Sequence, residues 1–116
     1  MITSYSFGRM VIAGRTYTSD LIIFPDGRIR DNWYRKSGHL LIPEDLAALT
    51  AARPELIIAG TGANGRMALA DGLAPGLSDQ GIEIRAMETA RAVTLYNDLI
   101  AKGDGRPVGA CFHLTC

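Results

Sequence analysis

No apolar run in this chain approaches the roughly 18 residues that a membrane-spanning helix needs. The longest clusters, Leu21-Ile22-Ile23-Phe24 and Leu56-Ile57-Ile58-Ala59, are the size of strands, so direct membrane insertion is not expected. Met1 to Gly8 has neither the basic start and long apolar centre of a signal peptide nor the repeated arginines of a transit peptide. The expected compartment is therefore the cytoplasm. Net charge is also missing: 12 Lys+Arg balance 12 Asp+Glu. That balance removes the electrostatic footprint of a non-specific nucleic-acid binder, and no nucleic-acid partner is expected. Cysteine is scarce, with only Cys111 and Cys116, and their spacing lacks the paired ligands of a zinc site. Free thiols in a reducing compartment are expected, with no metal and no cofactor. Repeats, low-complexity tracts and linkers are absent, so residues 1–116 read as one domain.

What is present is an ordinary globular composition, 47% hydrophobic and 21% charged, which excludes a disordered tail. A chain of this size buries roughly two thirds of the surface it exposes when unfolded, enough for a core without staples. The first forty residues read as antiparallel strands. Arg9–Ile12 and Thr16–Ser19 flank the turn signal Ala13-Gly14, and Leu21–Phe24 and Arg28–Asn32 flank Pro25-Asp26-Gly27. A short strand is expected through His39-Leu40-Leu41. The pattern then changes. Pro43-Glu44-Asp45 suits a helix first turn, Leu46 and Leu49 supply its apolar stripe, and Arg53-Pro54 ends it. Leu56–Gly60 reads as a buried parallel strand, Gly72–Gln80 as a short weak helix and Ile82–Ala86 as another strand. Thr89 is positioned to cap a helix carrying Val93, Tyr96, Leu99 and Ile100 and ending near Gly103, and Val108–Leu114 is a last strand. Hairpins followed by strand–helix alternation predict an α/β or α+β domain with a mixed sheet. The right-handed crossover rule places the helices on one face. The N-terminal antiparallel hairpin is left to cover part of the other.

Three segments carry chemistry-bearing residues. Gly60-Thr61-Gly62-Ala63-Asn64-Gly65 fits G-x-G-x-x-G after a strand and is followed by Arg66. It reads as a dinucleotide loop, as a tight strand-exit turn, or as a small-anion or small-ligand site with Arg66. The dinucleotide reading is weakened by the poor helix after it and by the short stretch of chain that remains. Trp33-Tyr34-Arg35-Lys36 holds the only tryptophan. It reads as a partner-binding anchor, as a nucleobase-stacking patch, or as a strand whose aromatic covers the core. Cys111 and His113 share one face of the last strand. They are a conceivable nucleophile pair, part of a metal set with Cys116 and His39, or buried packing. The acids Asp20, Asp26, Asp31 and Glu44 fall where turns and a helix start want acids. No catalytic residue is assigned.

Tyr5-Ser6-Phe7-Gly8-Arg9, Tyr17-Thr18-Ser19-Asp20-Leu21-Ile22-Ile23, Asp31-Asn32-Trp33, Gly60-Thr61-Gly62 and His113-Leu114-Thr115-Cys116 together resemble a small family of unknown function. It includes the adipogenesis-associated domain-containing protein and a mitochondrial assembly factor of respiratory complex I. The resemblance spans nearly the whole chain and implies a three-layer α/β domain that works by binding proteins. Without a presequence, the chain looks like a free-standing prokaryotic member. The expectation is a non-catalytic protein-binding or assembly module, linked to biogenesis of a respiratory or other membrane complex. It has an unidentified protein partner and is a monomer or weak homo-oligomer. The alternative is a small-anion or small-ligand binding protein or enzyme with its site at Gly60, Thr61, Gly62, Asn64, Gly65 and Arg66.

Overall fold

Two apolar clusters lie on opposite faces of one five-stranded sheet. The structure is a computed structural model and describes residues 1–116. The sheet contains β4 (Leu21–Ile23), β5 (Ile29–Arg30), β7 (Leu56–Gly60), β9 (Glu83–Met87) and β10 (Val108–Phe112), in the order β5-β4-β10-β7-β9. β10 runs parallel to β7 and antiparallel to β4, and β9 is parallel to β7. The two central strands, β7 and β10, are buried along their whole length, as the unbroken apolar run Leu56–Gly60 requires of a strand covered on both faces.

A separate antiparallel sheet is made of β1 (Ile2–Ser6), β2 (Arg9–Ile12) and β3 (Arg15–Tyr17). It buries Ile2, Met10, Ile12 and Tyr17 against Leu21, Leu56, Ile58 and Phe112. β1 has no turn signal before it and only weak alternation, and the sequence does not mark it as a strand. It pairs with β2, and its outer side at Ile2 meets a distant residue: the Asn97 side chain accepts from the Ile2 N–H at 3.0 Å and donates to the Ile2 carbonyl at 2.7 Å. The amide group thus replaces a neighbouring strand.

On the other face lie a 3-10 turn at Pro43–Leu46, α1 (Ala47–Ala51) and α2 (Leu73–Asp79). Leu46, Leu49, Leu73 and Leu77 bury themselves against Ile22, Ile57, Ala59 and Cys111. A small parallel pair, β6 (Leu40–Leu41) with β8 (Ala68–Leu69), closes one end. The fold is therefore the expected three-layer α/β domain with a mixed central sheet. The hairpin sheet does not cover its face alone, however. It shares it with α3 (Thr89–Lys102), which contributes Ala92 and Tyr96. The Tyr96 ring meets Phe112 edge-on, with centroids 6.2 Å apart.

The strand order explains this division. The connections from β5 through α1 to β7, and from β7 through α2 to β9, step in one direction along the sheet. The connection from β9 through α3 steps back past β7 to β10. Right-handed crossovers that step in opposite directions place their helices on opposite faces. A helix-on-one-face arrangement needs every step to run the same way, and strand order is not visible in the sequence.

Candidate binding site

The carboxyl ends of β7 and β10 are where an open α/β sheet commonly meets a ligand. Around them, the chain gathers most of the residues singled out by sequence. Asp20 is the hub. Its Oδ1 accepts from the Leu114 N–H at 2.7 Å, and its Oδ2 accepts from Arg35 Nη2 at 2.8 Å. His113 Nδ1 lies 2.8 Å from the same Oδ2, and Arg35 Nη2 lies 3.2 Å from His113 Nδ1. The consistent arrangement has Nδ1 protonated and donating to Asp20, so that two donors converge on one oxygen. The Asp20 carbonyl also accepts from the Trp33 N–H. Side-chain exposure is 4% for Arg35, 11% for Asp20 and 7% for His113. Two charges taken this far out of water persist only when paired and hydrogen-bonded. Arg35 Nη1 and His113 Nε2 are buried without a protein partner. The exposed ring of His39 stands at a steep angle to that of His113, with centroids 5.8 Å apart.

The Trp33–Lys36 segment divides between inside and outside. Trp33 is 7% exposed and packs with Phe24, Leu41 and Leu46. Its Nε1–H donates to the Asp45 carbonyl at 3.0 Å, and the Arg35 guanidinium stacks 4.8 Å from its ring centroid. The Asp45 carboxylate accepts from the N–H groups of Lys36 and Ile42. As partner-binding residues, Trp33 and Arg35 are thus corrected: both side chains are internal. Tyr34, at 71% exposure, and Lys36 remain on the surface. The alternation of a short extended segment accounts for this, because its two faces meet the core and the solvent in turn.

The glycine loop is also closely engaged. Gly62 and Gly65 have φ of +110° and +68°. A Cβ on Gly62 would lie 2.6 Å from the Cys116 main-chain oxygen and 2.8 Å from that of Thr115. The N–H groups of Ala63, Asn64 and Arg66 donate to the main-chain oxygens of Thr115 and Cys116, and that of Gly62 donates to Thr89 Oγ1. Those of Thr61, Gly65 and Met67 also have main-chain acceptors. The amide hydrogens that an anion cradle would need are donated within the chain. Asn64 and Arg66 keep exposed side chains there.

Thr89 differs from its expected role. The N-cap of α3 is Glu88, which makes no side-chain cap bond. The Thr89 hydroxyl instead accepts from the Gly62 N–H at 2.9 Å and donates to the His113 carbonyl at 2.7 Å, joining the loop, the helix and the last strand. The cysteine–histidine pair is not assembled as a nucleophile. Burial pushes the Cys111 thiol up to about 12, so it stays protonated. Cys111, His113, Cys116 and His39 do not converge as a metal-ligand set. Sequence reasoning overlooked Asp20 as the organiser, because acids before strands are common in turns. Its nearest side-chain partners stand 15 and 93 positions away.

A family model described as a protein of unknown function (DUF498/DUF598) matches residues 2–113. Among solved structures, the conserved hypothetical protein PH1505 from Pyrococcus horikoshii superposes with a TM-score of 0.86 at 26% identity, over 100% of this chain and 99% of its own. The protein MT938 superposes with a TM-score of 0.82 at 27% identity, over 100% and 98%. XCC1710 from Xanthomonas campestris shares the fold, with a TM-score of 0.81 at 23% identity over 98% and 83%.

Proposed function

The chain belongs to the DUF498/DUF598 family of proteins of unknown function, and from that premise we propose that it is a non-catalytic protein-binding or assembly module. The observation that carries this reading is the closed state of the carboxyl end of the sheet. The loop amides are donated to residues 115–116, and Asp20, Arg35 and His113 are buried against one another. A domain whose customary ligand end is filled by its own chain acts through its surface. Large exposed apolar side chains flank this end. Phe7, at 63% exposure, sits in the β1–β2 turn beside Gly8, whose N–H donates to the Leu114 carbonyl; Tyr34 adjoins Arg35. Aromatic residues of this kind dominate binding hot spots. The resemblance to complex I assembly factors extends the reading to a partner in the biogenesis of a respiratory or other membrane complex.

The test is photo-crosslinking in the native host from a benzophenone amino acid at position 34, with Phe7→Ala as control. The reading expects one recurrent protein, lost in the control while the thermal melt is unchanged. Scattered products with no recurrent partner would overturn it. The alternative, a small-anion site at Gly60–Arg66, is supported by the exposed Asn64 and Arg66 side chains. It expects the melting temperature to rise in phosphate and not in chloride at equal ionic strength, with Arg66→Ala abolishing the rise.

A further inference from the structure

The central sheet ends differently at its two edges. β5 is only two residues long, Ile29–Arg30, which blunts that edge. β9 is five residues long, contains no proline, and pairs with β7 in unbroken register from Glu83 to Met87. In a parallel ladder, alternate residues direct both backbone groups to the same neighbour. Glu83 N–H donates to the Glu55 carbonyl and the Met87 carbonyl accepts from Thr61 N–H. Glu83, Arg85 and Met87 therefore face β7. Ile84 and Ala86 direct their N–H and C=O groups outward, and none of these four groups has a partner outside the ladder.

Both flanking helices contact this edge strand. On one face, a groove of about 580 Å³ runs between β9 and α3, lined by Arg85, Met87, Ala90, Arg91, Leu95 and Asp98. On the other, a groove of about 400 Å³ runs between β9 and α2, bordered by Ala74, Ser78, Ile82 and Ile84. The side chains of a strand alternate between faces. One further strand beside β9 would thus place successive side chains in the two grooves in turn, with its backbone on Ile84 and Ala86.

We propose that β9 is a strand-addition site that takes an extended segment of a partner protein, with an apolar side chain in the α3 groove and an acidic residue beside it. This deepens the protein-binding reading and rests on it. Arg91 makes no ion pair, whereas Arg85 is held by Glu83 at 2.8 Å, so Arg91 is the free cation of the groove. A second copy is a poorer occupant. The antiparallel register that uses all the outward groups sets Ile84 opposite Ala86 and therefore Arg85 opposite Arg85, a like-charge cross-strand pair. The same charges on a natural edge discourage self-association while leaving the backbone open to a complementary strand.

The probe is a phage-displayed library of random peptides about ten residues long, a common strand length, selected on the folded chain. Amide hydrogen exchange is then followed in the complex. The expected result is a set of peptides with an acidic residue near an apolar one, slowing exchange at Ile84 and Ala86 by about tenfold or more. Arg91→Glu is expected to weaken the selected peptides about fivefold or more and to reverse the preference to basic. Ala86→Pro removes one outward donor and is expected to abolish binding. Leu95→Glu, which charges the groove lining without touching the ladder, serves if the proline variant fails to fold. Failure to select any peptide would overturn the proposal. So would peptides that leave exchange at Ile84 and Ala86 unchanged, or a dimer in sedimentation with these amides already protected. A recurrent partner crosslinked at position 34 with β9 amides unprotected would retire strand addition alone and leave the module reading standing.

Discussion

Gly62 and Cys116 occupy adjoining space with no room for a side chain between them: the Cβ that any other residue would add at position 62 lies 2.6 Å from the Cys116 main-chain oxygen. The contact joins the exit of β7 to the chain beyond β10, two segments that run side by side in the sheet. Gly62 also has a φ of +110°. Only glycine reaches that conformation without strain, and only glycine leaves the space free.

Gly62→Ala is expected to cost about 2–4 kcal/mol, combining backbone strain with overpacking against main chain that cannot rotate away. Gly14→Ala is the control. Its φ is +82° but a Cβ there meets nothing within 4 Å, so only the conformational penalty of about 1 kcal/mol applies. Urea unfolding of both variants separates the two contributions. Equal costs would show that the Cys116 contact carries no weight.

Trp33→Ala is expected to destabilise by about 3–5 kcal/mol, the cost of removing a large buried ring. It also strips the stacking surface from Arg35 and leaves the Asp45 carbonyl without its indole donor. Tyr34→Ala, one residue on and largely exposed, is expected to stay within about 0.5 kcal/mol. Denaturant midpoints report the contrast directly. A Trp33→Ala variant as stable as the parent would return this tryptophan to the surface.

Asp20→Ala strands the Arg35 guanidinium in a buried site and releases His113 and the Leu114 N–H together. A loss of about 3–5 kcal/mol is expected, as for other buried pairs broken from one side. Adding Arg35→Met to that variant is expected to recover part of the loss, because the uncompensated charge is then gone. A double-mutant cycle by chemical unfolding measures the coupling. Strict additivity would mean that the ion pair is energetically idle.

The buried Cys111 thiol gives a pH dependence whose sign can be stated. Its folded-state value is pushed up to about 12 from an ordinary 9.0. Above pH 9 the unfolded chain loses this proton while the folded chain keeps it, so the folded state binds more protons and stability falls as pH rises. Cys111→Ala is expected to flatten that fall between about pH 9 and 11 in thermal melts, whatever its effect at neutral pH. With Ellman's reagent at pH 8, Cys116, which is half-buried, is expected to react in the folded chain and Cys111 only after denaturation.

Much of the architecture is legible without coordinates. Leu56–Gly60 declares a buried strand by its unbroken apolar run, Pro25-Asp26-Gly27 declares its turn, and Gly62 and Gly65 have the positive φ that their place after a strand suggests. These are local properties, set by side-chain shape and backbone freedom within a few residues. The ordered motifs pointed to a family of unknown function for a related reason: each motif is a continuous string of residues.

Tertiary structure decided what depends on distance and direction. Asp20 is an ordinary turn acid until β4, β10 and the Trp33 segment bring Leu114, His113 and Arg35 to its two oxygens. β1 is a strand because it pairs with β2, and its first residue, Ile2, is tied by both backbone groups to Asn97 on the distant α3. The side of the sheet on which α3 lies follows from a reversal in strand order, which no window of sequence contains. Periodicity reports that a side chain is apolar or that a backbone can turn. It carries no information about which distant residue will share its oxygen, because that is fixed only when loop closure brings separated segments to one place and the hydrogen bonds formed there offset the entropy lost.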